Sequence, residues 1–340
     1  MNNNTSAPES KKSLAGIDLT KFIASILIFT MHCRVFSKFL LFELLARWGV
    51  PFFFICSAYF LFNKEKKGQF KEAVRKYIHR IGVLYIVWMV YNLPSIYLSR
   101  IYLKDWSVLS TWLTFVRNTL LSSTFIGSWY LLSSIFSAFF LYILSKKFKT
   151  KVVLGICFCF YILCVASSVY HNFFPSFSKI VATFFGFPLN IFSGVFFFAI
   201  GKYIAENKRK VVNVFTQKRA LFCFVVFYLL YLLEIGVVRH YHLYTTSDFA
   251  FSSILVGLFI FLFCMQSKIH IKNSIVLRKL SIIIFCAQGN VLSVNDFCLK
   301  TLGWTRMSSY LVAVCMMILI CALVLYIQKR KHWKWADSLT

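Results

Sequence analysis

Asp18, Lys21 and His32 stand inside the first apolar run of this 340-residue chain. An ionisable group in hydrocarbon is costly enough to mark a functional position by default. Lys21 and His32 are eleven residues apart, close to three helical turns, so they share one stripe, and Asp18 falls near it. At 1.5 Å per residue His32 sits roughly 16 Å along the axis from Lys21. The two cannot touch, but they can hold opposite ends of one long ligand that enters from the cytoplasm. Further candidates share the outer level of His32: Arg47 at the start of the second run, Ser128 and Trp129 at the start of the fourth, and Glu234 near the outer end of the seventh. Together they offer a general base, an oxyanion stabiliser and a charge partner. Each also has a simpler role: Asp18 pairing with Lys21 at the interface, Arg47 snorkelling, and Trp129 in an aromatic belt. The densest basic stretch, NKEKKGQFKEAVRKYIHR, carries Lys76 and Arg80 and suits anionic lipid headgroups or a phosphorylated cytosolic ligand.

The elements that must position these residues follow from composition. The chain is 59% hydrophobic and 14% charged with a mean hydropathy of +0.71, so lipid rather than water is its solvent. Apolar runs lie near residues 17–36, 44–62, 80–98, 126–145, 151–170, 187–204, 219–237, 249–266, 280–298 and 309–327. They predict an all-α polytopic membrane protein of about ten transmembrane helices. Of the 38 Lys and Arg, 27 fall on the side of the two termini, 10 on the other, and Lys21 lies within the first run. That bias predicts cytoplasmic termini in a cell (inner or plasma) membrane, and it explains the net charge of +27 without nucleic acid. Residues 1–15 read as a polar tail, 16–328 as one ten-helix domain and 329–340 as a basic tail. The polar start lacks a cleavage site after a short apolar core, so the first helix is expected to be retained. The connection 99–125 is the expected place for an interfacial helix. The 11 cysteines are scattered through apolar segments and read as small buried residues, and no metal site is expected.

Five stretches resemble the membrane acyltransferase 3 family of bacterial O-acyltransferases. GIDLTKFIASILIFTMH is similar to the family's opening helix, in which ten residues separate a basic residue from a His, here Lys21 and His32. RWGVPFFFICSAYFLF resembles its second helix, with Arg47, Phe52 to Phe54 and Ser57. RKYIHRIGVLYIVW, GSWYL and FFFAIGKYIA resemble the starts of helices three and four and the end of helix six. The resemblance implies transfer of an acyl group, commonly acetyl from acetyl-CoA, to a hydroxyl of an envelope glycan or lipid-linked saccharide. Acyl-CoA would be a donor substrate rather than a tightly bound cofactor, and membrane lipids would surround the domain. It further implies that His32 is the catalytic His, Lys21 its basic partner and Arg47 an active-site Arg. Glu234 would be a charge partner, and Lys21, Lys76, Arg80 and Trp129 would contact the donor.

The sequence departs from the family pattern at Lys21, where many members have Arg, and at Ala58, where Gly is usual. It lacks a His before Trp129 and has Gln288 where His is common. A catalytically inactive relative is therefore one alternative, and a transporter or flippase of a lipid-linked glycan is another. Transporters commonly show inverted repeats with matched Gly or Pro breaks, and the 13 Gly and 5 Pro here form no such pair.

Overall fold

A computed structural model describes residues 15–36, 40–63, 70–98, 107–185, 191–242, 249–330 and 340. The expected N-terminal tail, most of the C-terminal tail and residues 64–69 of the basic loop lie outside the described residues. Among those described, the regular structure is helical and no strand occurs. In chain order the helices are α1 (Ala15–His32), α2 (Leu40–Arg47), α3 (Gly49–Asn63), α4 (Phe70–Tyr91), α5 (Leu93–Ile96), α6 (Leu109–Leu121), α7 (Ser128–Lys147) and α8 (Thr150–Ser167). They continue as α9 (Pro175–Phe185), α10 (Val195–Glu206), α11 (Lys208–Val214), α12 (Gln217–His240), α13 (Ser253–Met265), α14 (Ser274–Lys300) and α15 (Arg306–Lys329).

Every apolar run contains a helix. Seven segments are long and apolar enough to cross a membrane: Ala15–His32, Glu43–Asn63, Ser128–Lys147, Thr150–Ser167, Gln217–His240, Ser274–Lys300 and Arg306–Lys329. The other three runs hold α4, whose first turns are charged, and the shorter α10 and α13. Within the connection 99–125, where an interfacial helix was expected, the helix α6 forms, whereas α9 was not anticipated, because its eleven residues lie between two recognised runs.

The centre of the bundle is α3, which packs against α10 and α13. Phe52, Phe54, Ile55, Cys56, Ala58 and Tyr59 are wholly buried on it, so the helix is covered on all sides. Small residues allow close approach, Ala58 meeting Gly201 of α10, as is usual where dispersion rather than hydrophobicity drives helix association. The outer helices show the reverse pattern. Phe222, Leu229 and Leu233 on α12 and Ile318, Leu319 and Leu323 on α15 are exposed, which is stable only with hydrocarbon as solvent.

Two prolines break helices beside the candidate residues. Pro51 has no N–H for the Arg47 carbonyl and its ring crowds that group, so α2 ends at Arg47 and α3 starts at Gly49. Pro94 acts likewise between α4 and α5, and Asn92 fills the gap. Its Nδ2 donates to the carbonyls of Trp88 (2.8 Å) and Cys286 (2.9 Å), and its Oδ1 accepts from the Asn290 N–H (3.2 Å). Asn290 reciprocates, accepting from the Ser95 N–H (3.1 Å) and donating to the Tyr91 carbonyl (2.6 Å). Gly289 permits this clasp, since a Cβ there would lie 2.3 Å from Asn92 Oδ1.

Asp18 pairs across the bundle rather than with Lys21. It is 1% exposed and accepts from Arg278 Nε (2.8 Å), Arg278 Nη2 (3.0 Å) and the Ser274 hydroxyl (2.9 Å), tying α1 to α14. The simple pairing of Asp18 with Lys21 fails because the two-pronged guanidinium of α14 occupies both carboxylate oxygens.

Candidate active site

The stripe of α1 ends in two separate cavities. His32, the last residue of α1, lines a cavity of about 620 Å³ together with Arg34, Glu43, Arg47, Ser95, Ser123, Ser293 and Asp296. Lys21 lines a second of about 680 Å³ with Ser57, Lys76, Tyr77, Arg80, Tyr130, Arg278 and Phe285. Both volumes lie in the roughly 300–1,000 Å³ range of small-molecule and cofactor sites. α14 also serves both: Ser281, Ile282, Phe285 and Cys286 face the Lys21 cavity, and Gly289, Leu292, Ser293 and Asp296 face the His32 cavity. Cys286 and Gly289 are three residues apart, so the wall between the cavities is about one helical turn thick, roughly 5 Å.

Around His32 the chain turns sharply. The Cys33 N–H still bonds the Phe29 carbonyl (3.0 Å), after which Arg34 adopts φ +56°, a left-handed conformation costly for a residue with a side chain. Strain of this kind collects at functional sites. Asn295 holds the turn by donating to the Cys33 carbonyl (3.4 Å), and Thr30 meets the Tyr310 hydroxyl of α15 at 3.0 Å. Arg47 reaches the cavity because α2 stops at it. Its Nη2 donates to Glu43 Oε1 (2.9 Å), and Arg239 of α12 approaches Glu43 Oε2 (3.5 Å).

The carboxylate beside Arg47 is thus Glu43 and not Glu234. Glu234 lines neither of the two cavities. It accepts from the Tyr170 hydroxyl (3.1 Å), the N–H groups of Phe251 (2.9 Å) and Ser252 (2.8 Å), and the Ser252 hydroxyl, which fastens the start of α13 to α12. Glu234→Gln is therefore expected to lower the unfolding stability by about 1–2 kcal/mol, because an amide turns an N–H toward donors. Thermal unfolding in detergent reads that loss, and any activity of the folded fraction is expected to stay within about threefold of native. A sequence signal for Glu43 did exist: it precedes Arg47 by four residues, the spacing of a helical ion pair. Asp296 carried the same spacing, preceding Lys300 by four residues, and it pairs with that residue at 2.7 Å.

The Lys21 cavity is strongly cationic. Lys21, Lys76, Arg80 and Arg278 line it, with Glu72 as the one acidic residue among the described lining residues. Lys76 lies 2.8 Å from Glu72 and its hydrogen bond holds that carboxyl below the usual range, so Glu72 is ionised and cancels one cation. Arg278 is occupied by Asp18. Among the described residues no carboxylate lies within ion-pair distance of Lys21 or Arg80; Lys21 stands 5.3 Å from the Phe60 ring and Arg80 6.0 Å from that of Tyr77. Two cations facing a cavity without counter-ions suit a phosphorylated ligand.

Trp129 is packed instead into the core, 7% exposed, against Phe54 (6.0 Å between ring centres) and Phe249 (5.9 Å). Its neighbour Tyr130 faces the Lys21 cavity and meets the Ser57 hydroxyl at 2.9 Å.

With this geometry in hand, comparison with known proteins gives two results. A family model described as an acyltransferase domain matches residues 14–326. The chain is also similar to two curated proteins of Enterococcus faecalis, each called an amino-acid racemase. One is 27% identical over 256 residues, covering 68% of this chain and 34% of the relative. The other is 24% identical over 278 residues, covering 76% and 38%. The chain thus spans about a third of the length of these relatives. No solved structure matches it.

Proposed function

From the premise that this chain belongs to the acyltransferase family whose domain matches residues 14–326, we propose that it transfers an acyl group, acetyl in the first instance, from acyl-CoA to a hydroxyl of an envelope glycan or lipid-linked saccharide. The observation that carries this reading is the pair of cavities on one stripe of α1 and α14, basic at Lys21 and bearing a His and an Arg at the other end. Lys21 and Arg80 bind donor phosphates, with Lys76 at the rim beside Glu72. The thioester reaches toward His32 through the thin wall. There the acceptor oxygen attacks the acyl carbonyl as His32 takes its proton. Arg47, oriented by Glu43, stabilises the charge that develops on the carbonyl oxygen. The carbon–sulfur bond breaks as the ester bond forms, and the proton passes to the departing sulfur to leave free CoA. An acyl group carried briefly on His32 would give the same products in two steps. Trp129 acts indirectly, as a packing support for the Phe54 and Tyr130 region.

In this reading α4, α10 and α13 complete ten spans in the cell membrane, with both termini and the Lys21 cavity on the cytoplasmic side. The basic loops favour that orientation and contact anionic lipid. The test is labelled acetyl transfer from acetyl-CoA to envelope glycan in membranes with and without the chain. Label that depends on the chain supports the proposal, and no dependence across glycan and lipid-linked acceptors overturns it.

The name of the two relatives favours a second reading. The His32 cavity mixes Arg34 and Arg47 with Glu43 and Asp296, a pattern that suits a zwitterion such as a free amino acid. Saturable binding of a labelled amino acid, lost in Arg47→Ala and unaccompanied by acyl transfer, would select it.

A further inference from the structure

The wall between the cavities is built around one ring. Phe285 faces the Lys21 cavity, with ring centres 6.0 Å from Phe53 and 5.4 Å from Tyr130, and those two are 6.2 Å from each other. Against the edge of the ring lies Gly127, whose chain neighbours Phe125 and Ile126 line the His32 cavity. A Cβ on Gly127 would sit 3.1 Å from Phe285 Cε1 and Cζ and 3.3 Å from Gln288 Nε2. Gly127 also has φ +90°, so both its backbone and its surroundings exclude a side chain. Gln288 completes the wall. It is 1% exposed, its Nε2 donates to the Phe285 carbonyl (2.9 Å), and its Oε1 is buried with no hydrogen-bond partner among the described residues. An acceptor left bare in a core is a penalty that a ligand donor can remove.

We propose that the Phe285 ring is a movable septum through which the acyl end of the donor passes. The gap opened beside Gly127 admits only short acyl chains, and Gln288 Oε1 accepts a hydrogen bond from an amide N–H of the donor's pantetheine arm. The proposal rests on the acyl-CoA reading above and adds to it a gate and a size limit. The physical case is that a single ring, held by two others and by a glycine, can rotate without moving a helix. The clasp of Asn92, Ser95 and Asn290 meanwhile pins the adjoining turn of α14. A slot the width of one displaced ring discriminates by the methylene, where pockets typically separate substrates by about 10–200-fold.

The experiment compares acetyl-, propionyl- and butyryl-CoA as donors for the purified native chain, Phe285→Ala, Phe285→Leu and Phe285→Trp. Native protein is expected to prefer acetyl over butyryl by at least about tenfold in kcat/KM. Phe285→Ala, with Phe285→Leu as the milder variant should Ala fail to fold, raises the butyryl-to-acetyl ratio about tenfold or more. Phe285→Trp enlarges the plug and lowers kcat at least about tenfold, while the Kd for free CoA stays within about threefold. Ratios that do not move in a folded and active Phe285→Leu or Phe285→Ala overturn the septum, as does a native chain that uses butyryl as well as acetyl. A native chain that binds CoA but transfers no acyl group to any acceptor overturns the transferase reading itself, and the septum falls with it.

Discussion

His32→Ala is expected to reduce acetyl transfer by about 10²–10⁴-fold, the usual contribution of a positioned general base. Loss of an acyl-carrying His would be at least as severe. His32 ends α1 and lines a different cavity from Lys21, so the KM for acetyl-CoA is expected to change by less than about threefold, with the loss falling on kcat. His32→Gln tests the same point with hydrogen-bonding capacity retained. It is expected to be nearly as inactive, because an amide does not take the hydroxyl proton. Expression and thermal unfolding should stay close to native, since His32 is half-buried and stands outside the buried core. Transfer above about a tenth of native in either variant would remove His32 from the chemistry.

Lys21→Met separates binding from folding. Lys21 shares its cavity wall with the cations Lys76, Arg80 and Arg278 and has no carboxylate partner among the described residues. Replacing it by an apolar side chain of similar length relieves that cost, and the protein without donor is expected to unfold at a higher temperature, by the equivalent of about 1 kcal/mol. On the proposed reading the same substitution removes a charge-assisted contact to a donor phosphate, worth about 1.5–3 kcal/mol. The KM for acetyl-CoA should therefore rise by about 10–150-fold while kcat is largely kept. Stabilisation of the protein by added CoA should shrink in parallel, and Lys21→Arg should restore most of it. A Lys21→Met protein that is less stable than native and binds CoA unchanged would make Lys21 structural.

Much of the helical plan was legible because hydrocarbon imposes it. Each run of apolar residues holds a helix, and the eleven-residue step from Lys21 to His32 follows from helical pitch alone. Arg47 was legible because it stands at the start of an apolar run, at the level of His32, in a stretch that resembles the family's second helix. Contacts between distant helices were not legible. Nothing local connects Asp18 to Arg278, 260 residues later, or Arg239 to Glu43, and the nearer Lys21 was the natural partner on spacing. Glu234 sits at the right depth for the site, but depth does not say which side of the bundle a helix occupies, and α12 packs on α13 rather than beside α1. The same ambiguity affects Trp129 and Tyr130: adjacent residues on one helix point about 100° apart, so the buried ring is Trp129 and the cavity ring is Tyr130.

The thinness of the wall between Cys286 and Gly289 has an electrical consequence. Where polar cavities enter a membrane protein from both ends, the transmembrane voltage falls mainly across the barrier that remains, here about one helical turn. Moving a unit charge across that barrier involves about 2.3 kcal/mol for every 100 mV. On the proposed reading a neutral acyl group crosses with no electrical work, whereas donor phosphates held at Lys21 and Arg80 stay outside the field. Three packed aromatic rings, Phe53, Tyr130 and Phe285, stand at that barrier. The same few ångströms can therefore let a two-carbon unit through while the cell keeps its membrane potential.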